Sequence, residues 1–172
     1  MKTNKMLREF LENVEPVSFE VSESDESVKA FKKIERLISL RDRSVHEISK
    51  RLLQDDYSQA ATEHAIQRAL RCGYLDDARF ARTLIMSRLS QGKGLAGLYR
   101  ELDSHQIDRS FLDDYLEDHP VVVDEQTQRA LEVLKRKPTR SKNKFQGAYL
   151  KLIRLGYSSS VAMQATKQWL KL

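Results

Sequence analysis

Cysteine is nearly missing from this chain, and what little there is closes off several functions at once. Cys72 is the only one, so no internal disulfide can form, and its usage fits a reducing, cytoplasmic setting. No His stands beside Cys72 to activate it, so it reads as a small packing residue rather than a nucleophile. Glycine and proline are also scarce, at six and three in 172 residues, while Leu, Ala, Arg, Lys, Glu and Gln are abundant; that balance favours helices over sheets. Long apolar runs are absent: nothing approaches the ~18 continuous apolar residues of a membrane span. The first residues, MKTNKMLREFLENVEPV, carry charges throughout and have no apolar core, so they do not read as a signal peptide. His46, His64, His105 and His119 form no pair at zinc-ligand spacing. No nucleophile, base and orienting group fall into a recognisable pattern, and the chain reads as a binding protein rather than an enzyme.

What is present is an uneven charge. The formal +5 divides into −3 over residues 1–29, zero over 30–120 and +8 over 121–172. A basic third of this kind points to a polyanionic partner such as nucleic acid, although one isolated cluster can equally be a solvated helix face.

A fifty-residue repeat organises the rest. Ile34, Leu84 and Leu134 share one column; Val45, Leu95 and Phe145 a second; Leu52, Leu102 and Leu152 a third. Tyr57, Ile107 and Tyr157 follow, then Ala61, Phe111 and Val161. Within a copy the step of seven from Val45 to Leu52 and the step of four from Tyr57 to Ala61 match the spacing of a buried helical stripe. Ser58, Asp108 and Ser158 occupy a shared N-cap column, where a side-chain oxygen accepts an otherwise unpaired helical N–H. The repeat predicts an all-α protein of three tandem three-helix units that stack into an elongated, curved, solenoid-like body. The units are assigned to residues 26–75, 76–123 and 124–172, the last of them basic. Residues 1–25 form an N-terminal extension, with a short helix at MLREFLENV, a strand-like VSFEV and a linker at SESDES. A body of this type closes its own core, so a monomer is expected.

Two stretches invite chemical readings. Asp76 and Asp77 could be metal ligands, but Leu75 and Phe80 flank Asp76 at the N′ and N4 positions of a hydrophobic staple, which makes Asp76 an N-cap. Ser44 with Glu47 matches the capping box by the same logic. Gly92-Lys93-Gly94 lacks the four-residue spacing and the following Ser or Thr of a phosphate loop. It reads as a break between two helices, with Gly92 as the residue just past the helix end. Lys93 projects there, with Arg88 and Arg100 near in sequence. The tract from Lys135 to Lys144 is more telling, with six cations in ten residues: Lys135, Arg136, Lys137, Arg140, Lys142 and Lys144. Flexible cations without stacking aromatics suit phosphate-backbone binding and not sequence-specific reading. Trp169 and most of the tyrosines fall on apolar stripes and belong to the core.

The middle stretch GYLDDARFARTLIMSRLSQGKGLAGLYREL, with RDRSVHEISKRL before it and YLKLIRLGY after, resembles the RecX family of bacterial RecA regulators over about residues 30–172. The resemblance implies a helical protein that lies in the groove of RecA filaments on single-stranded DNA and binds duplex DNA non-specifically. It also implies inhibition of RecA's ATPase, strand-exchange and coprotease activities, by obstructing filament extension or favouring disassembly. On that reading the cations face RecA or DNA, the nucleotide belongs to RecA, and this chain binds no cofactor. One departure concerns the turn before the third helix. The family often has glycine there, and here only Gly156 does; Asp56 and Gln106 fill the other two positions. Glutamine tolerates left-handed geometry poorly, so the second turn is expected to differ. A helical nucleic-acid-binding protein acting without RecA is the alternative.

Overall fold

The computed structural model describes residues 25–120, 122 and 125–172. The readings for the extension before residue 25 lie outside the described residues. Among those described there are nine α-helices and no strand: α1 (Asp25–Ile38), α2 (Val45–Gln54), α3 (Gln59–Arg71), α4 (Asp77–Ser90), α5 (Leu95–Ser104), α6 (Ser110–Asp118), α7 (Gln126–Arg136), α8 (Lys144–Arg154) and α9 (Ser159–Trp169). They group in threes, and in each group the first helix packs on the third. Each group has its own apolar cluster.

The repeat columns supply the centres of those clusters. Leu52, Leu102 and Leu152 are fully buried, as are Ile48, Leu98 and Ala148 four residues earlier. Truncating any one of these leucines to alanine removes about 2–5 kcal/mol, because the surrounding helices close only part of the resulting cavity. Trp169 and Tyr57, Tyr99, Tyr115 and Tyr149 pack at the cluster edges, and Tyr157 is buried. Cys72 departs from expectation. It is exposed at the end of α3, since the helix turns its apolar stripe away before that residue.

The turn after the second helix is built the same way three times. Tyr57, Ile107 and Tyr157 donate their N–H groups back to Leu52, Leu102 and Leu152, at 3.2, 3.0 and 3.1 Å. Asp56, Gln106 and Gly156 donate to the carbonyls of Leu53, Asp103 and Ile153. These paired bonds close a Schellman motif, which needs positive φ at its middle residue. Asp56, Gln106 and Gly156 have φ of 63°, 54° and 90°. The second turn therefore does not differ. Gln106 adopts the strained geometry because the two backbone bonds and the burial of Ile107 outweigh its roughly 1–2 kcal/mol penalty.

Caps define most helix starts. Ser44, Ser58, Asp76, Asn143 and Ser158 each accept the N–H three residues on. Asp108 does not fill the same role. α6 starts one residue late, after Arg109, and the Asp108 carboxylate takes the N–H of Ser110 only two residues away, at 2.8 Å. That bond holds its carboxyl below the usual carboxylate range. The capping box at Ser44 is half formed. Ser44 accepts from Glu47, but the Glu47 carboxylate pairs with Arg41 and Arg43 instead of reaching back. Leu75 and Phe80 are both buried, Leu75 in the first cluster and Phe80 in the second.

The two joints between groups use equivalent positions with different chemistry. At the first, Ser44 Oγ lies 3.3 Å from His105 Nδ1, and Asp77 accepts the first N–H of α2, from Val45, at 2.9 Å. At the second, fifty residues on, Gly94 N–H donates to Leu155 at 3.0 Å and Gly97 N–H to Gly156 at 2.8 Å. The Tyr157 hydroxyl reaches the Gly92 carbonyl at 3.0 Å, and the Arg129 guanidinium the Leu89 carbonyl at 2.8 Å. Side chains make the first joint, whereas the second adds direct backbone-to-backbone bonds to its side-chain contacts.

Candidate polyanion interface

The aspartate pair and the glycine joint both resolve as structure. Asp76 accepts from Arg79 N–H at 2.9 Å, which together with the helix start keeps its carboxyl below the usual range. Asp77 is spent on Val45. No group of three or more metal-ligating side chains occurs among the described residues. In the Gly92-Lys93-Gly94 joint every amide is already committed: Gly92 donates to Leu89, Lys93 to Arg88 and Gly94 to Leu155. Backbone N–H groups that are all paired cannot cradle a phosphate, so any anion there must be held by side chains.

Of the three cations expected around this joint, the structure separates one from the others. The Arg88 guanidinium grips the Glu101 carboxylate through Nε, 2.9 Å from each oxygen, and through Nη2 at 2.5 Å. This fork keeps the Glu101 carboxyl below its usual range and raises the Arg88 guanidinium further. Arg88 links α4 to α5. Lys93 and Arg100 make no salt bridge or hydrogen bond to a carboxylate among the described residues, although the Lys93 charge helps to hold the Glu101 carboxyl low; Arg100 donates only to the Ala96 carbonyl of its own helix.

The basic tract lies at the other side of the same joint. Lys135 and Arg136 end α7, Lys137 caps it, Arg140 and Lys142 sit in the connection, and Lys144 opens α8; all six are exposed. Lys135 pairs with Glu132 at 3.2 Å, an exposed contact that solvent screens to little value. The other five meet no carboxylate among the described residues.

Two residues that the sequence reading did not single out bring these sets together. Lys151 and Arg154 lie three apart on α8, within YLKLIRLGY, so the helical period places them on one face. Arg154 with Lys93, Arg100 and the Arg88-paired Glu101 lines a hollow of about 320 Å³, over the Gly97 and Gly156 contact. Arg154 with Lys151 and Arg140 lines a neighbouring hollow of about 540 Å³, which also carries Thr139 and Ser141. Leu155 is common to both walls. The Lys151 ammonium is pushed down by burial and then by Lys137, and it donates to the Lys137 carbonyl. The signal for both residues was in their spacing, but only the stacking of the third group on the second shows which cations they join. Lys142 and Lys144 line neither hollow.

The profile described as RecX, first three-helix domain, matches residues 30–68. Curated relatives include a "Regulatory protein RecX" of Lactobacillus delbrueckii subsp. bulgaricus, 31% identical over 58% of this chain and 37% of its own length. Another, from Vibrio parahaemolyticus, is 29% identical over 49% of this chain and 55% of its own. A third, from Bacillus licheniformis, is 30% identical over 87% of this chain and 58% of its own. The matched part thus spans less than two thirds of these relatives. Among solved structures, the fold is similar to "Crystal structure of RecX from Lactobacillus salivarius", with a TM-score of 0.62 and 16% identity over 86% of this chain and 99% of that one. It is also similar to "Crystal structure of regulatory protein RecX", with a TM-score of 0.60 and 21% identity over 83% and 72%.

Proposed function

The chain belongs to the RecX family of regulatory proteins, and from that premise we propose that it regulates RecA by binding along RecA filaments on single-stranded DNA. It performs no chemistry of its own. It acts in the cytoplasm as a monomer, lies in the filament groove, and lowers RecA's ATPase, strand-exchange and coprotease activities by obstructing extension or favouring disassembly. The observation that carries this reading beyond the family name is the basic face across the second joint. Lys93, Arg100, Arg140, Lys151 and Arg154 are presented there with no carboxylate among the described lining residues except Glu101, which Arg88 holds. A filament on single-stranded DNA offers such a face both phosphate and acidic protein surface.

The test is the single-stranded-DNA-dependent ATPase of the cognate RecA, with this protein titrated in. Inhibition that saturates is expected; an unchanged rate at saturating protein would falsify the reading.

A second reading is a nucleic-acid-binding protein that needs no RecA. The unpaired cations of the tract favour it, because they would attract any polyanion. Full activity on naked DNA, with binding unaffected by RecA and steeply weakened by salt, would select it instead.

A further inference from the structure

We infer that Lys93, Arg100, Arg154, Lys151 and Arg140 form one track for the phosphodiester backbone of a single nucleic-acid strand, with Arg154 shared between two adjoining seats. This assigns a ligand to part of the basic face described above and rests on that surface, but it does not require RecA.

Three features argue for phosphodiester and against an acidic protein surface. The cations stand around recesses, not on a flat face, and a phosphate projecting from a flexible strand enters a recess more readily than a carboxylate on a short stem. Glu101 also lines the smaller hollow, but Arg88 neutralises it; the other residues between the cations are uncharged, and Thr139 and Ser141 add hydroxyl donors beside Arg140. Arg and Lys with Ser and Thr hydroxyls are the usual donors to phosphate oxygens. Among the described residues no aromatic side chain lines either hollow, so bases find no stacking platform there and the track holds the backbone without reading sequence.

The geometry also selects a single strand. Two adjoining seats with a common wall ask the backbone to bend from one into the next. A single strand bends freely on that scale, whereas duplex DNA stays stiff over about 150 base pairs. The seats take one set of cations from α5 and its joint and the other from α8 and the connection before it. A bound strand therefore spans the second joint, which the backbone bonds of Gly94 and Gly97 already hold fixed. The track is pre-formed.

The experiment is fluorescence anisotropy of a labelled oligothymidylate strand with the full chain and no RecA, over a salt series. Lys93→Ala/Arg154→Ala is compared with Lys142→Ala/Lys144→Ala, which removes the same charge from outside the hollows. No side chain of these four residues makes a hydrogen bond or ion pair among the described residues, and circular dichroism checks that both variants stay helical. The first variant is expected to bind at least tenfold more weakly and to flatten the salt slope by about 1.4, at about 0.7 per phosphate contact for a single strand. The second is expected to lose less than threefold. Equal losses in the two variants would show that only net charge matters and overturn the track, as would equal affinity for a duplex of the same length. If the wild-type protein inhibits RecA yet binds no free strand, the track falls and the RecA reading stands. If it binds the strand through Lys93 and Arg154 but leaves RecA's ATPase untouched, the track stands and the RecA reading falls.

Discussion

Gly97 and Gly156 meet backbone to backbone: the Gly97 N–H donates to the Gly156 carbonyl at 2.8 Å, with no side chain between α5 and the turn that follows α8. A Cβ on Gly156 would come within 2.5 Å of the Gly97 Cα, and one on Gly97 within 2.7 Å of the Gly156 Cα. The contact sets how the third group sits on the second, and so sets the distance between Arg154 and the cations of α5.

Gly156→Ala should destabilise the protein by about 2–4 kcal/mol, combining about 1–3 for overpacking with about 1 for alanine at positive φ. Gly97→Ala carries only the overpacking part and should cost less. Urea denaturation of the two variants measures the order. If Gly156→Ala proves as stable as wild type, the close approach of the two turns is wrong.

Gln106 offers the opposite case. It holds φ of 54° in an exposed turn, where its side chain gains nothing that glycine would lose. Gln106→Gly should stabilise by about 0.5–1 kcal/mol, since relief of left-handed strain exceeds the extra chain entropy of glycine. For a chain of this size that is a rise of about 1–4 °C in Tm. A lower Tm would mean that the Gln106 side chain contributes something its exposure does not reveal.

The Arg88 and Glu101 pair predicts a coupling between structure and binding. Arg88→Ala would leave Glu101 unneutralised beside Lys93 and Arg100 and should weaken strand binding by about threefold, although Arg88 lines neither hollow. Arg88→Ala/Glu101→Gln should restore it. Equal losses in the single and double variants would mean that Arg88 itself touches the strand. The pair also sets a pH dependence. The Glu101 carboxyl is held below the usual carboxylate range in the folded protein, chiefly by the hydrogen bonds from Arg88. Its contribution to stability is present above the unfolded value and is lost as pH falls through the folded one. The stability gap between wild type and Glu101→Gln, measured by urea denaturation, should therefore be open at neutral pH and close in acid.

Much of the fold was legible because its causes are local. The leucine column at 52, 102 and 152, the caps at Ser44, Ser58, Asp76 and Ser158, and the helix-ending Gly92 all act within a few residues of themselves. The errors were local too, but arose where two local rules compete. Glu47 had a back-bond available to Ser44 and took Arg41 and Arg43 instead. Gln106 obeyed the turn and not its own preference.

The candidate surface was legible only as a composition. The tract from Lys135 to Lys144 stands out as charge, and Lys93 stands out beside its glycines, but nothing in their spacing says that they share a face. Nor does it distinguish Arg88, which is bound to Glu101, from Arg100, which is not.

The sequence by itself therefore determined the helices, their ends, their buried stripes and the excess of cations, because periodicity and capping depend on neighbours along the chain. The tertiary structure alone decided that Asp77 serves the helix of the preceding group, that three glycines let two backbones touch, and that Arg154 stands between Lys93 and Arg140. Those relations depend on how rigid three-helix groups stack, and stacking is settled by surfaces that are assembled only after each group has folded.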